Sequence, residues 1–538
     1  MRRLLILLPV LFLAACANII PPTGGPQDTI PPILVRSMPS NGQTNYSGGT
    51  IQLEFNEPIQ LKDAKEEVLI TPTFGKETKF LFKKNTVTII PSEELSKDIT
   101  YSISFRQSIQ DLNEGNPAED LTLAFSTGRY IDSLNMYGKV TTAAEAKPAE
   151  KYTVAIYQAD TFNIFKHTPV YITRTAKNGT FSIQNLKPGT YHAYAFADKN
   201  KNLKVDTQSE WFGTAPVPIN LPTDKDSIRI PVFKIDIRPL KMNSSRGVSN
   251  YSVIRLNKAP ASYRLASIQP GDHVISHYGS NRSEITAYPP KSWPDSTAVR
   301  LTAIDSVGQA IDTTFFIKQT KQKPLKEAFK LAAKTPVLTT STKRLHAEIG
   351  LTLPISSVRT DSIKILNDSI PIGTIKPQSI TYDSTSLKIT IDQEFTLPDS
   401  LTERKIILSL GKGWVHSIFQ DTIATNLQRV SVKTQKTAGT IEVKATTSHK
   451  NILLQGINEK YEIIETQEIG KVNTFGNLDP AGTIIRAVED NNNNGLWDYG
   501  NPLNKTQPER VWIYAGKDGK RQVPLRANWV VDIEWKVE

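Results

Sequence analysis

Nothing past position 16 in this chain carries a thiol: Cys16 is the one cysteine in 538 residues. A disulfide within the chain is excluded, and each folded unit must stand on its own core. Thiol catalysis in the body of the protein is excluded with it. After Cys16 no apolar run approaches the roughly 20 residues that a membrane-crossing helix needs. Lysine and arginine exceed aspartate and glutamate, 64 to 53, for a net charge of +11. The surplus is spread thinly, and no basic run with interleaved aromatics occurs, so nucleic-acid binding has no footprint here. G-x-S-x-G, H-E-x-x-H, the P-loop and G-x-G-x-x-G are all missing. His273 and His277, four apart in extended chain, would lie about 13 Å from each other, too far to share a metal. They read as surface residues. The adjacent pairs Glu66-Glu67 and Glu93-Glu94 would point to opposite faces of a strand and also read as solvated surface. A non-enzymatic protein is the expectation.

What is present begins at the N-terminus. Arg2 and Arg3 precede an apolar run from Leu4 to Leu13, the charged and apolar regions of a signal peptide. The run ends in Leu13-Ala14-Ala15-Cys16, which resembles the lipobox of bacterial lipoproteins. That resemblance implies cleavage before Cys16 and acylation of the cysteine, so that two or more acyl chains, at about 0.8 kcal/mol per buried methylene, hold the protein to a membrane. The alternative is an ordinary secretory signal with an incidental cysteine. Residues 1–15 are thus the signal peptide and residues 16–32 a tether. Its paired prolines, Pro26 and Gly-Gly step rule out helix or strand. At roughly 3.1 Å per residue the tether could hold the first domain up to about 50 Å from the lipid. No acidic cluster follows Cys16, which favours a periplasm-facing position at the outer membrane of a Gram-negative envelope.

From Ile33 onward, short alternating segments such as Ile51-Gln52-Leu53-Glu54-Phe55 recur at intervals of about ten residues between turn signals. The fold class is all-β, tandem β-sandwiches. Pro39-x-x-Gly42, Phe55-Asn56-Glu57-Pro58-Ile59, Asp111-Leu112-Asn113-Glu114-Gly115-Asn116 and Phe125-Ser126-Thr127-Gly128 follow one another in the first unit, 33–128. Together they resemble the bacterial Ig-like domain of S-layer proteins (SbsA-type). In that family these motifs mark turns and strand ends, not a catalytic site. In the second unit, 134–233, Asn178-Gly179-Thr180-Phe181, Leu186-Lys187-Pro188-Gly189-Thr190-Tyr191 and Ala195-Phe196-Ala197-Asp198 resemble a transthyretin-like or carboxypeptidase-regulatory-like sandwich. The same signature returns in Phe475 to Thr483 and Ala487-Val488-Glu489-Asp490, so the unit 439–538 reads as a copy of the second. Between them stand a degenerate Ig-like unit, 234–322, and an Ig-like unit, 323–436. A short helical pattern from Leu325 to Lys334 reads as a linker helix.

The sharpest local motifs are two Asn/Asp loops. One is Asp198-x-Asn200-x-Asn202-x-x-x-Asp206; the other is Asp490-x-Asn492-x-Asn494-Gly495-x-x-Asp498. Oxygen side chains at positions 1, 3, 5 and 9 are the pattern by which a loop wraps calcium. The first loop has Leu203 where the second has glycine, and at position 12, where an acid belongs, stand Ser209 and Asn501. Two carboxylates each make these candidate calcium sites of millimolar affinity. The alternative is an Asx turn capped by its own amides. Near the C-terminus, Trp529, Val531, Ile533, Trp535 and Val537 alternate with Asp532, Glu534 and Lys536, the pattern of a core-facing strand rather than a sugar platform. Trp497, inside the second loop, is left free to be exposed.

These readings combine into a lipid-anchored rod of sandwiches that works as an envelope scaffold or binding protein with a protein partner. A carbohydrate-binding lipoprotein is the other reading. The anchor yields a direct expectation. Cys16→Ala moves the protein from the membrane to the soluble fraction and abolishes labelling by radioactive palmitate; a C16A protein still in the membrane would overturn the anchor.

Overall fold

The computed structural model describes residues 28–538 apart from 76, 119–120, 159–161, 207–209, 249–250, 270–273, 289–295, 319–327, 398–404, 435, 481 and 505. Cys16, most of the tether, Ser209 and His273 therefore lie outside the described residues. Within them the chain is a series of β-sandwiches. The helices are single turns, at Ala64–Glu67, Thr360–Ser362 and Pro377–Ser379. No helix among the described residues is long and apolar enough to cross a membrane.

Alternation sets the strands. In Ile51–Phe55 the residues Ile51, Leu53 and Phe55 are buried while Gln52 faces out, as a pleat with one wet face requires. The first sandwich packs the sheet Leu34–Met38, Ile51–Phe55, Thr86–Ile90, Lys79–Lys83 against Leu69–Thr71, Thr100–Ser104, Thr122–Ser126. Phe55, Phe74, Phe105 and Phe125 fill its core.

The second unit has a less common feature. Its first strand, Leu134–Thr142, sits between Thr180–Leu186, antiparallel, and the last strand, Lys225–Val232, parallel. The opposing sheet runs Tyr171–Arg174, Thr153–Tyr157, Gly189–Phe196, Phe212–Thr214, with Ile219–Leu221 also on Gly189–Phe196. The C-terminal unit repeats this strand for strand. Gly439–Thr447 lies between Asn473–Leu478 and the parallel last strand Val530–Val537, over the sheet Ile463–Glu468, Ile452–Ile457, Thr483–Glu489, Val511–Ile513. The two intervening cores gather around Ile254, Ile285 and Leu301, and around the fully buried Trp414.

Three expectations are corrected. In the stretch expected to be a helix, Leu331–Ala333 is a strand paired with Ile349–Leu351. Phe329, Leu331 and Ala333 alternate and pack on the Trp414 core, so contact with the sheet overrides helix propensity. Trp529 precedes the terminal strand and is 50% exposed, with the Arg526 guanidinium 4.7 Å from its ring centroid. The strand's core contacts come from Ile533 and Val537, with Val531 and Trp535 half-buried. Finally, His277 is buried, its ring stacked on Tyr288 at 5.7 Å.

Nor is the molecule a rod. The turn after the first strand of the second unit docks on the C-terminal unit, where Arg486 donates to the Ala144 carbonyl at 3.2 Å. Arg521 donates to the carbonyls of Glu145 and Ala146 at 2.6 and 2.7 Å, and Lys147 sits 4.4 Å from the Tyr461 ring centroid. The other junctions close the circuit. Between the second and third units, Val307 packs in one cluster with Phe212 and Phe233, and just inside the third unit the buried Lys258 ammonium pairs with Asp305 at 2.5 Å and donates to the Asp236 carbonyl. The third meets the fourth where the Tyr278 N–H donates to the Thr385 carbonyl and Tyr288 packs on Phe419. The fourth meets the fifth through Lys433 and Asp479. Exchange of Arg521 for Ala together with Arg486 for Met removes the guanidinium bonds. It is expected to raise the radius of gyration in small-angle X-ray scattering, and an unchanged profile would refute the closure. Trp414→Ala costs about 3–5 kcal/mol with no such expansion.

Candidate functional site

Both Asn/Asp loops follow an interior strand of the larger sheet, Gly189–Phe196 and Thr483–Glu489, and both fold by the same hydrogen bonds. Asp198 accepts from the N–H groups of Asn202 and Leu203, each at 3.1 Å. Asp490 accepts from Asn494 at 3.1 Å and Gly495 at 2.8 Å. The sixth position needs a left-handed backbone: Gly495 has φ 76° and Leu203 φ 57°. Glycine adopts this freely, whereas a residue with a Cβ there costs about 1–2 kcal/mol. Asp498 accepts from the side-chain amides of Asn492 and Asn494 at 2.6 and 2.7 Å, and Asn200 accepts from the Asn202 N–H at 3.2 Å.

The structure adds a third carboxylate that the sequence pattern did not reveal. Glu210, wholly buried, accepts from the N–H groups of Lys199 and Asp206, both at 2.8 Å. Glu509 does the same for Asn491 and Asp498, at 2.7 and 2.9 Å. Glu210 lies one residue beyond the position where a calcium loop would carry its acid, so spacing could have found it. Glu509 lies eleven residues past Asp498 and reaches the loop only through the fold. Burial pushes the Glu509 carboxyl above its ordinary range; Asp498 and Asp490 add to this, and the two N–H donors oppose it. In both loops the carboxylates accept the loop's own donors. Among the described residues no three His, Cys, Asp or Glu side chains come together in the manner of a metal site.

Each loop also touches a neighbouring unit. Lys201, at the tip of the first, pairs with Glu66 of the first unit, so Glu66, expected to be merely solvated, holds a junction. Its neighbour Glu67 pairs with Arg106 at 3.2 Å. Beyond the second loop, the Asn501 amide donates to the Val307 carbonyl of the third unit at 2.8 Å. Trp497 is not free either. Its indole N–H donates to the Glu509 carbonyl at 2.9 Å, and its ring joins the cluster that holds Phe233 and Val307.

Between the first two units runs a cleft of about 1180 Å³. Ser102, Ser104 and Thr122 face Thr180 and Ser182 across it, with Arg106 and Lys151 at its sides. It offers hydroxyls and charges, and no aromatic ring lines it among the described residues.

Residues 28–127 match the family model for a bacterial Ig-like domain. The first unit is a bacterial Ig-like domain. Residues 150–209, inside the second unit, match the model for domain II of polysaccharide lyase family 4. No curated protein matches the chain. Among solved structures it is similar to the S-layer protein SbsC, with 11% identity, 91% of this chain and 67% of that one covered, and a TM-score of 0.16. BcpA, the major pilin subunit of Bacillus cereus, has 10% identity over 75% of this chain and 99% of its own, with a TM-score of 0.14. A DUF3823 family protein from Bacteroides uniformis has 11% identity over 35% and 100%, with a TM-score of 0.13.

The loops give a stability prediction. Glu509→Ala takes the acceptor from two part-buried N–H donors, those of Asn491 and Asp498, at a cost of up to about 1–3 kcal/mol each, and should lower the thermal midpoint. Because the Glu509 pKa is raised in the folded state, its contribution favours folding below the ordinary glutamate range and is lost as pH climbs through the raised value. Glu509→Gln should therefore flatten the fall in stability over that interval; identical pH profiles for variant and parent would count against the assignment.

Proposed function

We propose that this protein is a non-enzymatic, lipid-anchored scaffold of a Gram-negative outer membrane, facing the periplasm and presenting fixed sandwich domains to an envelope protein. The observation that carries the reading is the use of the two loops. The most functional-looking motifs in the chain bracket one unit against the next, which is architecture rather than chemistry. Closure between the duplicated units supports it as well, because a closed circuit holds its outer faces at set angles. The test is crosslinking in intact cells, followed by purification of the Cys16-anchored protein from envelope membranes. A discrete, reproducible protein partner is expected, and its repeated absence would sink the scaffold reading.

Calcium held by the Asp490–Asp498 and Asp198–Asp206 loops belongs to the same proposal, as a stiffener of the junctions. Repeating the Glu509→Ala melts in about 10 mM calcium, above the millimolar range usual for extracellular modules, should raise the midpoint of the parent only. Capture of a glycan is the second reading, and the hydroxyl-lined cleft between the first two units is the observation in its favour. The crosslinked membranes decide between the two: a glycan adduct in place of a protein partner would favour capture.

A further inference from the structure

The duplicated units use one sheet face in two ways. Superposing their loops, Asp198 on Asp490, places Tyr194 where the C-terminal unit has Arg486, and Ala155 where it has Gln455. The ladders agree, since Ala155 pairs with Tyr194 and Gln455 with Arg486. In the C-terminal unit this face is covered. Arg486 donates to Gln455 at 2.9 Å and reaches the turn at Ala144. Consequently Ile452–Ile457 is buried on both sides.

In the second unit the equivalent strand Thr153–Tyr157 is also buried throughout, but under the unit's own rings, Phe162 packing on Tyr157 and Tyr194. The face stays partly open at the half-buried His192 and Tyr194. A cavity of about 490 Å³ opens there, walled by Phe162, Phe165, Tyr194, Phe212 and Phe233. Its far wall comes from the C-terminal unit, through Pro502, Thr506 and Gln507. Among the described residues, no Asp, Glu, Lys or Arg lines it, and His192 is its one imidazole. Its rim is apolar and open: Val217 is 67% exposed and Phe165 38%. The size suits a pocket that encloses a bound group, and aromatic walls favour a ring that can meet them edge-on or offset. Strand addition is ruled out along this rim, because Pro216 and Pro218 offer no N–H. An occupant must enter by its side chain.

The geometry points to a docking pocket for an uncharged turn of a partner polypeptide that inserts an aromatic side chain, as the turn at Ala144 covers the sister face. This rests on the scaffold reading and deepens it by naming where the partner binds and by what chemistry. It also ties binding to closure, since one wall belongs to the C-terminal unit.

The test uses the full chain and small probes in saturation-transfer NMR: N-acetyltryptophanamide as the aromatic probe, N-acetyllysinamide and octyl glucoside as charged and alkyl probes. The aromatic amide should receive saturation and the other two should not. Thr214→Trp, which fills the cavity, and Val217→Glu, which charges an exposed rim position and leaves the core alone, should each cut the signal about tenfold, roughly 1.4 kcal/mol of lost affinity. Stronger saturation of the alkyl probe, or signals unchanged by both variants, would overturn the pocket. Envelope crosslinking separates the two claims. A partner recovered equally with Val217→Glu refutes the pocket and spares the scaffold; aromatic binding with no partner in the membrane does the reverse.

Discussion

Two guanidinium groups on the C-terminal unit hold three consecutive carbonyls of a turn more than three hundred residues earlier in the chain, and the arrangement of the other sandwiches follows from that grip. A buried arginine is costly unless its donors are met. Here Arg486 is met on one side by Gln455 and on the other by Ala144, and burial still presses its pKa downward. Arg521, more exposed, adds two further charge-assisted bonds. Such bonds contribute about 1.5–3 kcal/mol each, enough to offset the ordering of one turn but not of a whole domain. The remaining junctions share the load, among them the packing of Val307 of the third unit in one cluster with Phe212 and Phe233 of the second.

Much of the fold could be read from residue pattern, because most strands have one wet face. Ile51–Phe55 shows its inside and outside in five letters. The duplication was legible too, since the strand, turn and strand of Thr180-Phe181, Leu186-Lys187-Pro188-Gly189-Thr190 and Asp198 return as Thr474-Phe475, Leu478-Asp479-Pro480, Gly482-Thr483 and Asp490. The misreadings came where a second contact covers a face. In Ile452–Ile457 every residue is buried, so no period survives. Leu331–Ala333 takes its form from a distant strand. The terminal strand's alternation was real, but it stopped short of Trp529. At the loops, spacing picked out Asp198, Asn202, Asp490 and Asp498, while Glu509 comes from a segment that no local window joins to them. Whether a loop faces water or a neighbour depends on packing between units, which local sequence does not encode.

The two copies show how a duplicated module diverges without changing its strands. Exchanging Gln455 and Arg486 for Ala155 and Tyr194 turns a polar cradle for backbone carbonyls into an aromatic wall. The ladder beneath is untouched, because outward residues on a sheet can change chemistry while their inward neighbours keep the core.

In both copies the first and last strands lie side by side and run in the same direction. Such a module takes in the chain at one pole and releases it at the other. A pull applied between those poles loads the ladder from Thr440↔Val530 to Thr447↔Val537 along its length, so its hydrogen bonds resist together in shear rather than parting one at a time. A body tied to a membrane at one end and to a partner at the other would meet tension in that geometry, and the parallel clamp is the element built to bear it.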